Sequence, residues 1–287
     1  MKEQKYIINK SKSFNAKHIF ECGQCFRWNE QEDGSYTGVF RNNVLNVKEN
    51  AENIIITGVC EENIEKVCKE YFDLDTDYEE IKDTLSKIDD NVKQSIKYGE
   101  GIRILKQDLW ETIISFIISA NNNIPRIKKI IERLSENYGN EMVWKGQKYY
   151  AFPTPEQLSK ASVQDLRALG LGFRDKRVYE TTRIILSGEV SLQSLENITD
   201  SNVLREELNK LPGIGDKVAD CIMLFSMKRF DVFPIDVWVR RVMNELYIKN
   251  EDETKVNKRE LENLAKEKYG NLAGIAQQYL FYWRREA

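Results

Sequence analysis

The chain has 287 residues, 31% of them charged, with a formal net charge of −3 and no apolar run of membrane-spanning length. That length buries one large core or two to three subdomains, and the polar start Met1-Lys2-Glu3-Gln4-Lys5 is unlike a secretory leader. Five cysteines, an odd number in so long a chain, fit a reducing, cytoplasmic setting better than a disulfide framework.

Residues 1–100 carry short β-rich runs. Residues 26–29, 36–40, 44–47 and 54–56 are rich in Val, Ile, Tyr, Phe and Trp, with turn residues at Asp33-Gly34 and Asn42-Asn43. The pattern predicts an antiparallel sheet followed by a trailing helix. From Leu105 onward the spacing becomes helical. Asp108 and Glu111 resemble a capping box opening a helix through Leu109, Ile113, Phe116 and Ile117. Thr154-Pro155 and Ser162-Val163 open two more, and residues 174–187, closed by Gly188, form another. The last helix, roughly 272–284, puts Gln277 and Phe281 on one face. The fold class expected is therefore α+β: an antiparallel sheet domain over 1–100 and an all-helical domain over 101–287.

The most informative stretch lies within that second part. Residues 202–210 read as a short amphipathic helix that Leu211-Pro212-Gly213-Ile214-Gly215 cannot continue, since proline lacks a donor and the glycines permit positive φ without a side chain in the way. Helical spacing resumes from Asp216 to Met227. This helix–hairpin–helix, about 203–227, ends its turn at a helix N-terminus, where unpaired amides and the dipole favour a phosphate. Glycine–X–glycine alone would more often be a plain connection between packed helices. A lysine at 217 and a Pro-X-Asp at 234–236 make the combination far more restrictive.

Lys217 is either a solvated phosphate contact or a nucleophile. As a nucleophile it must be neutral part of the time, and its helix N-terminus, burial and basic neighbours would lower its pKa. An amine attacking a sugar C1′ forms a Schiff base, after which the strand breaks by β-elimination. Asp236 is a candidate N-cap for the helix starting Val237-Trp238, and a carboxylate there also takes a proton or stabilises positive charge on the sugar.

With these residues in view, the chain resembles the 8-oxoguanine DNA glycosylases of the helix–hairpin–helix, glycine/proline–aspartate superfamily. The resemblance spans nearly the whole chain. It includes Gly23-Gln24-Cys25-Phe26-Arg27-Trp28, Tyr71-Phe72-Asp73-Leu74-Asp75, Asn121-Asn122-Asn123-Ile124-Pro125-Arg126, Leu169-Gly170-Leu171-Gly172-Phe173-Arg174, the hairpin, and Gln277 with Phe281. It implies a bifunctional glycosylase and abasic-site lyase, acting as a monomer without a cofactor on duplex DNA that contains oxidised guanine opposite cytosine. A target base must leave the stack to be cut at C1′. The match makes Phe173 the residue that enters the helix, and Asn121, Arg126 and Arg174 the partners of the orphaned cytosine. It makes Gly23 the residue whose carbonyl accepts from N7–H of the oxidised base. Normal guanine offers a lone pair at N7, and such an unmade buried contact costs about 1–3 kcal/mol. Cys221 and Phe281 sandwich the base, Gln277 takes its Watson–Crick edge, Phe225 stands at the pocket rim, and Gly213 and Gly215 meet the DNA backbone. Relatives hold a structural cation on hairpin carbonyls, here those of Asn209, Leu211 and Ile214.

The chain also departs from the pattern. Trp238 stands where animal relatives have a histidine near a phosphate, Phe173 replaces a tyrosine, and Phe225 replaces a methionine. A monofunctional alkylpurine glycosylase would share the fold but normally lacks the lysine. A non-catalytic DNA-binding module would need only the glycine turn. Cys22-Gly23-Gln24-Cys25 lacks the following helix of a redox motif and a second close pair for zinc. With no cysteine after Cys221, an iron–sulfur cluster near the C-terminus is not expected, and the single His18 suggests only packing. Acidic residues cluster in the first third (Glu61-Glu62, Glu79-Glu80, Asp89-Asp90). Basic ones gather at Arg126, Lys128-Lys129, Arg133, Arg174, Lys176-Arg177 and Arg240-Arg241, so a polarised surface is expected despite the negative total.

Overall fold

The computed structural model of the protein describes residues 2–252 and 255–286. Its first layer is a five-stranded antiparallel sheet of β1 Glu3–Asn9, β2 Trp28–Glu30, β3 Tyr36–Phe40, β4 Asn43–Glu49 and β5 Asn53–Val59, ordered β1-β5-β4-β3-β2. The β2–β3 turn is closed by Asp33, which accepts from the Ser35 amide and hydroxyl (3.1 and 2.6 Å), with Gly34 at φ +76°. The next turn is Arg41-Asn42, one residue earlier than expected, and Asn43 already pairs with Phe40. β2 starts at Trp28. Phe26 is handed instead to the helical core, edge-on to Phe116 at 5.5 Å. Strand β1 had no counterpart among the expected runs. It is an edge strand whose alternate residues stay exposed, only Tyr6, Ile7 and Ile8 of its seven residues are apolar, and its partner β5 lies some fifty residues away.

One face of the sheet closes over an aromatic core. Trp28 stacks on Phe20 (3.9 Å) and donates its indole N–H to the Tyr71 hydroxyl (2.8 Å), while Phe40 stacks on Tyr71 (3.8 Å). On the other side Val39, Val44 and Val59 meet Met142 and Trp144 of a short hairpin, β6 Glu141–Trp144 and β7 Gln147–Tyr150. Lys145 and Gly146 both take positive φ in its turn, a conformation that Asn-Gly signals more strongly than Lys-Gly does.

The helical part is built around the helix Leu109–Ser119, nine of whose eleven residues are buried, so it is enclosed on all sides. Asp216–Met227, Ile124–Tyr138 and Asp175–Ser187 pack around it, and Asp90–Tyr98 packs against the last helix, Ala273–Glu286. Asp108 caps the central helix by accepting from Glu111 N–H at 2.8 Å. The Glu111 carboxylate lies in the interior near Arg27, where burial pushes it up to about 7. Reciprocal capping boxes are formed at Thr154 with Gln157 and at Ser162 with Asp165, and Gly188 ends its helix at φ +78°. No helix among the described residues is long and apolar enough to cross a membrane.

Candidate active site

The helix Ser201–Leu208, the turn at 209–215 and the helix Asp216–Met227 form the expected hairpin. Its two glycines do different work. Gly213 sits at φ +88°, and a Cβ there would lie 2.5 Å from Arg177 Cδ. Both the turn and the close approach require glycine. Gly215 is extended at φ −107°, so positive φ is needed at only one of the two positions. It caps the second helix without a side chain, and a Cβ there would meet nothing within 4 Å. No side chain caps the helix start, and the Gly215 carbonyl accepts from Val218 and Ala219 N–H at 2.9 Å each. Asp216 anchors the turn through Asn209 (2.9 Å) and Lys258 (2.8 Å), and the Leu211 carbonyl accepts from Ile214 N–H at 3.1 Å.

Lys217, one residue further on, faces inward. It lines a cavity of about 40 Å³ together with Asp236, Gly23, Cys221, Phe225, Gln277 and Phe281. Residues from the N-terminal segment, the hairpin, the Pro-X-Asp loop and the last helix thus converge on one spot. Asp236 Oδ1 accepts from Val239 N–H at 2.8 Å, capping the helix Val237–Met243 as expected. Gly23 takes φ +87°, and a Cβ there would sit 3.4 Å from Phe281 Cε1 and 3.0 Å from Arg285 Nη1. The carbonyl-bearing backbone and the aromatic wall are therefore in near contact. A cavity of about 150 Å³ holds one benzene ring, so this space admits about one water and closes on anything larger. Pro234 of the Pro-X-Asp motif also lines the cavity, as do Phe116 and Gln278, which sequence patterns did not single out. Phe116 looked like helix core, which it also is: it stacks on Phe225 (5.7 Å) and lies 5.7 Å from Lys217 Nζ. A wider surface groove of about 820 Å³ runs past Lys106 and Lys228, but these are paired with Glu70 and Asp73.

Electrostatics correct one expectation. Lys217 is held above the usual lysine value, first by Cys221 and then by Asp236, against burial, which pulls it down. Burial pushes the Cys221 thiol up to about 11, so at neutral pH it is uncharged and the Asp236 carboxylate is the standing negative neighbour. The resting lysine is an ammonium because its neighbours outweigh desolvation. Burial likewise pushes Cys22 up to about 11 and raises Cys25 further. Buried, protonated thiols are the opposite of what a Cys-X-X-Cys redox pair needs. Gln277 Oε1 is buried in the cavity wall without a hydrogen-bond donor. His18 accepts from Gly101 N–H at 3.2 Å and packs near Tyr282.

None of the residues matched to the orphaned base lines that cavity; Asn121, Arg126 and Phe173 are exposed and Arg174 is buried. Phe173 is 55% exposed, with the guanidinium groups of Arg174 and Arg177 over its ring at 4.2 and 5.3 Å. Asn121 is exposed at φ +51°, a conformation asparagine tolerates better than most residues. Arg126 is exposed and reaches the Gly170 carbonyl at 3.3 Å. Arg174 is only 2% exposed and donates to the carbonyls of Ala120, Asn121 and Leu171. Those bonds occupy four of the five guanidinium hydrogens, leaving one for another acceptor. Trp238 and its neighbour Val237 are 48% and 62% exposed beside Asp236, with Arg241 over the indole at 5.6 Å.

A glycine hairpin that delivers a lysine to a cavity shared with a Pro-X-Asp carboxylate defines a helix–hairpin–helix DNA glycosylase with lyase architecture. Residues 6–113 match the 8-oxoguanine DNA glycosylase N-terminal domain, and residues 114–267 match the HhH-GPD superfamily of base excision DNA repair proteins. The chain is 33% identical over 236 residues to a probable N-glycosylase/DNA lyase of Methanothermobacter thermautotrophicus, covering 75% of this chain and 73% of that protein. It is 33% identical over 267 residues to the N-glycosylase/DNA lyase of Saccharomyces cerevisiae, covering 85% and 70%. The Clostridium acetobutylicum 8-oxoguanine glycosylase/lyase, solved with duplex DNA containing cytosine opposite 8-oxoguanine, superposes with a TM-score of 0.91 at 44% identity over 98% of both chains. The chain belongs to the 8-oxoguanine DNA glycosylase family.

Proposed function

We propose that the protein flips oxidised guanine out of duplex DNA, excises it through Lys217 and then cleaves the strand as an abasic-site lyase, acting as a monomer without a cofactor. The observation that carries this reading is the convergence of Lys217, Asp236, Gly23 and Gln277 on one cavity from four separate stretches of chain. Lys217 Nζ attacks C1′ once it has lost its proton, and Asp236 stabilises the positive charge developing on the sugar. The Gly23 carbonyl accepts N7–H of the lesion. The vacant Gln277 Oε1 accepts N–H from its Watson–Crick edge, filling a place that is otherwise a buried acceptor without a partner. Cys221 and Phe281 flank the ring, with Phe225 at its rim. Because the resting cavity is too small for a purine, entry displaces the half-buried Phe281.

On the DNA face, the open amide after Gly215, at the start of the second hairpin helix, takes a backbone phosphate. The exposed Phe173 fills the gap left by the flipped base. Asn121, Arg126 and the remaining Arg174 hydrogen address the orphaned cytosine. The hairpin carbonyls of Asn209, Leu211 and Ile214 are where a structural cation would be held. Trp238 and Val237 extend the apolar contact toward the lesion strand.

The test is borohydride trapping on a duplex carrying 8-oxoguanine opposite cytosine. A covalent adduct with the wild type that disappears in Lys217→Gln is the expected result. An adduct undiminished in Lys217→Gln removes this mechanism, and excision confined to alkylated purines moves the substrate to that class.

A further inference from the structure

The Gly23 carbonyl is asked to tell N7–H from a bare N7 lone pair, yet it belongs to the most permissive residue type, at φ +87°. Something outside the glycine has to fix its direction. Three glutamines surround it. Gln24 is fully buried, and its amide donates to the carbonyls of Ile19 (2.9 Å) and Arg103 (2.8 Å) while accepting from Leu105 N–H (2.9 Å). Gln278, from the last helix, donates to the Cys22 carbonyl at 2.6 Å. Gln107 donates to the Gln24 carbonyl at 2.7 Å. Both its backbone and its side-chain N–H also reach the Phe225 carbonyl, at 3.0 and 3.4 Å. The peptide carbonyls before and after that of Gly23 are therefore each held by a glutamine amide, and the Gln24 side chain holds the Cα between them. Gln107 also ties this segment to the Phe225 wall of the cavity.

From this arrangement we infer that Gln107 and Gln278, with Gln24, are positioning residues for lesion specificity. They aim the Gly23 carbonyl at the N7 position without touching the base through their bonded amides. Hydrogen bonds weaken steeply with misalignment, so losing a support degrades recognition of the oxidised base. The inference rests on the functional reading above. Cutting at a preformed abasic site has no base to recognise and does not need the frame.

The experiment compares single-turnover excision of 8-oxoguanine with cleavage of a preformed abasic duplex in Gln107→Leu and Gln107→Glu. The first removes the donor; the second sets a carboxylate against the Gln24 carbonyl. We expect 8-oxoguanine excision to fall about tenfold or more, with abasic-site cleavage unchanged within about twofold. The excision ratio of 8-oxoguanine to guanine, measured also in Gln278→Met, should fall in each. Full 8-oxoguanine excision in the Gln107 variants, or parallel losses on both substrates, overturns the assignment. A wild-type protein that cuts abasic DNA but never excises 8-oxoguanine overturns the functional reading itself, and this inference with it.

Discussion

Asp236 caps a helix and, on the proposed mechanism, also stabilises charge, two roles that a pair of substitutions separates. Its Oδ1 caps a helix through Val239 N–H, and its charge faces Lys217. Asparagine keeps the cap and discards the charge; alanine discards both. Losing an N-cap costs about 1 kcal/mol, so Asp236→Ala should lower Tm by about 2 °C in a chain of this size, while Asp236→Asn leaves it nearly unchanged. The chemistry involves two opposed effects. Removing the carboxylate takes away one of the groups that hold Lys217 protonated, and each unit of pKa is worth about tenfold in free amine. It also removes stabilisation of the cationic sugar, and comparable losses in other enzymes slow reactions about 100- to 1,000-fold. The second effect is larger. Excision of 8-oxoguanine by Asp236→Asn should fall about 10- to 100-fold at pH 7, whereas borohydride capture of a preformed abasic site, which needs no bond to the base broken, should fall far less. Single-turnover excision and adduct yield on the two duplexes measure this directly. Wild-type excision by Asp236→Asn would refute the electrostatic role, and equal loss of Tm in both variants would refute the cap.

Lys217 is held above its usual value, so the free amine is scarce at neutral pH and grows as pH rises. Adduct yield on abasic DNA should climb about tenfold per pH unit between 7 and 9, and a plateau already reached at pH 7 would contradict this. The two hairpin glycines should respond differently. Gly213→Ala, at φ +88° and against Arg177, should cost about 1–2 kcal/mol in urea unfolding. Gly215→Ala should leave stability unchanged and weaken DNA binding by crowding the helix start. Asp220 is buried, with one oxygen on Arg205 Nε at 2.7 Å and the other without a partner, and burial pushes it up to about 6. The folded state therefore holds this proton more tightly than the unfolded chain, whose carboxyl lies near 3.8. The resulting stabilisation is present below pH 4 and lost as pH rises through 6, by about 3 kcal/mol. Asp220→Asn should flatten the stability profile by that amount over pH 4–6, and an unchanged profile would assign the titration elsewhere.

How far the sequence could be followed depended on the range of the forces involved. The hairpin, the Asp236 cap, Gly188 and the boxes at Thr154 and Ser162 were legible because each is a local rule satisfied within four residues. Strand β1 was not, because pairing with β5 across some fifty residues holds it and only Tyr6-Ile7-Ile8 interrupt its polar residues. Glu111 looked like a cap partner but is drawn inward toward Arg27, a tertiary neighbour the pattern cannot show. At the site, the residues matched to the base pocket gather at one cavity with Lys217 and Asp236, while those matched to the orphaned base lie outside it. The framing glutamines and Phe116 were invisible, since their significance lies in what they touch. The protonation of Lys217 followed from the balance between Cys221, Asp236 and burial, and no spacing rule reports such a balance.

If Lys217 is the nucleophile proposed, the narrow cavity and the raised lysine pKa together keep the amine from indiscriminate attack. An ammonium has no lone pair for C1′, and a space of about 40 Å³ leaves no room for a nucleotide beside it. Both barriers must fall before chemistry begins, and the geometry orders them. Phe281 stands against Gly23 in the cavity that Lys217 lines, so on the proposed mechanism it moves before a sugar meets the amine. If the lesion is read at Gly23 as proposed, a base that brings a lone pair to that carbonyl meets repulsion and is not retained. On that reading, selection falls at the Gly23 wall of the cavity before the amine acts.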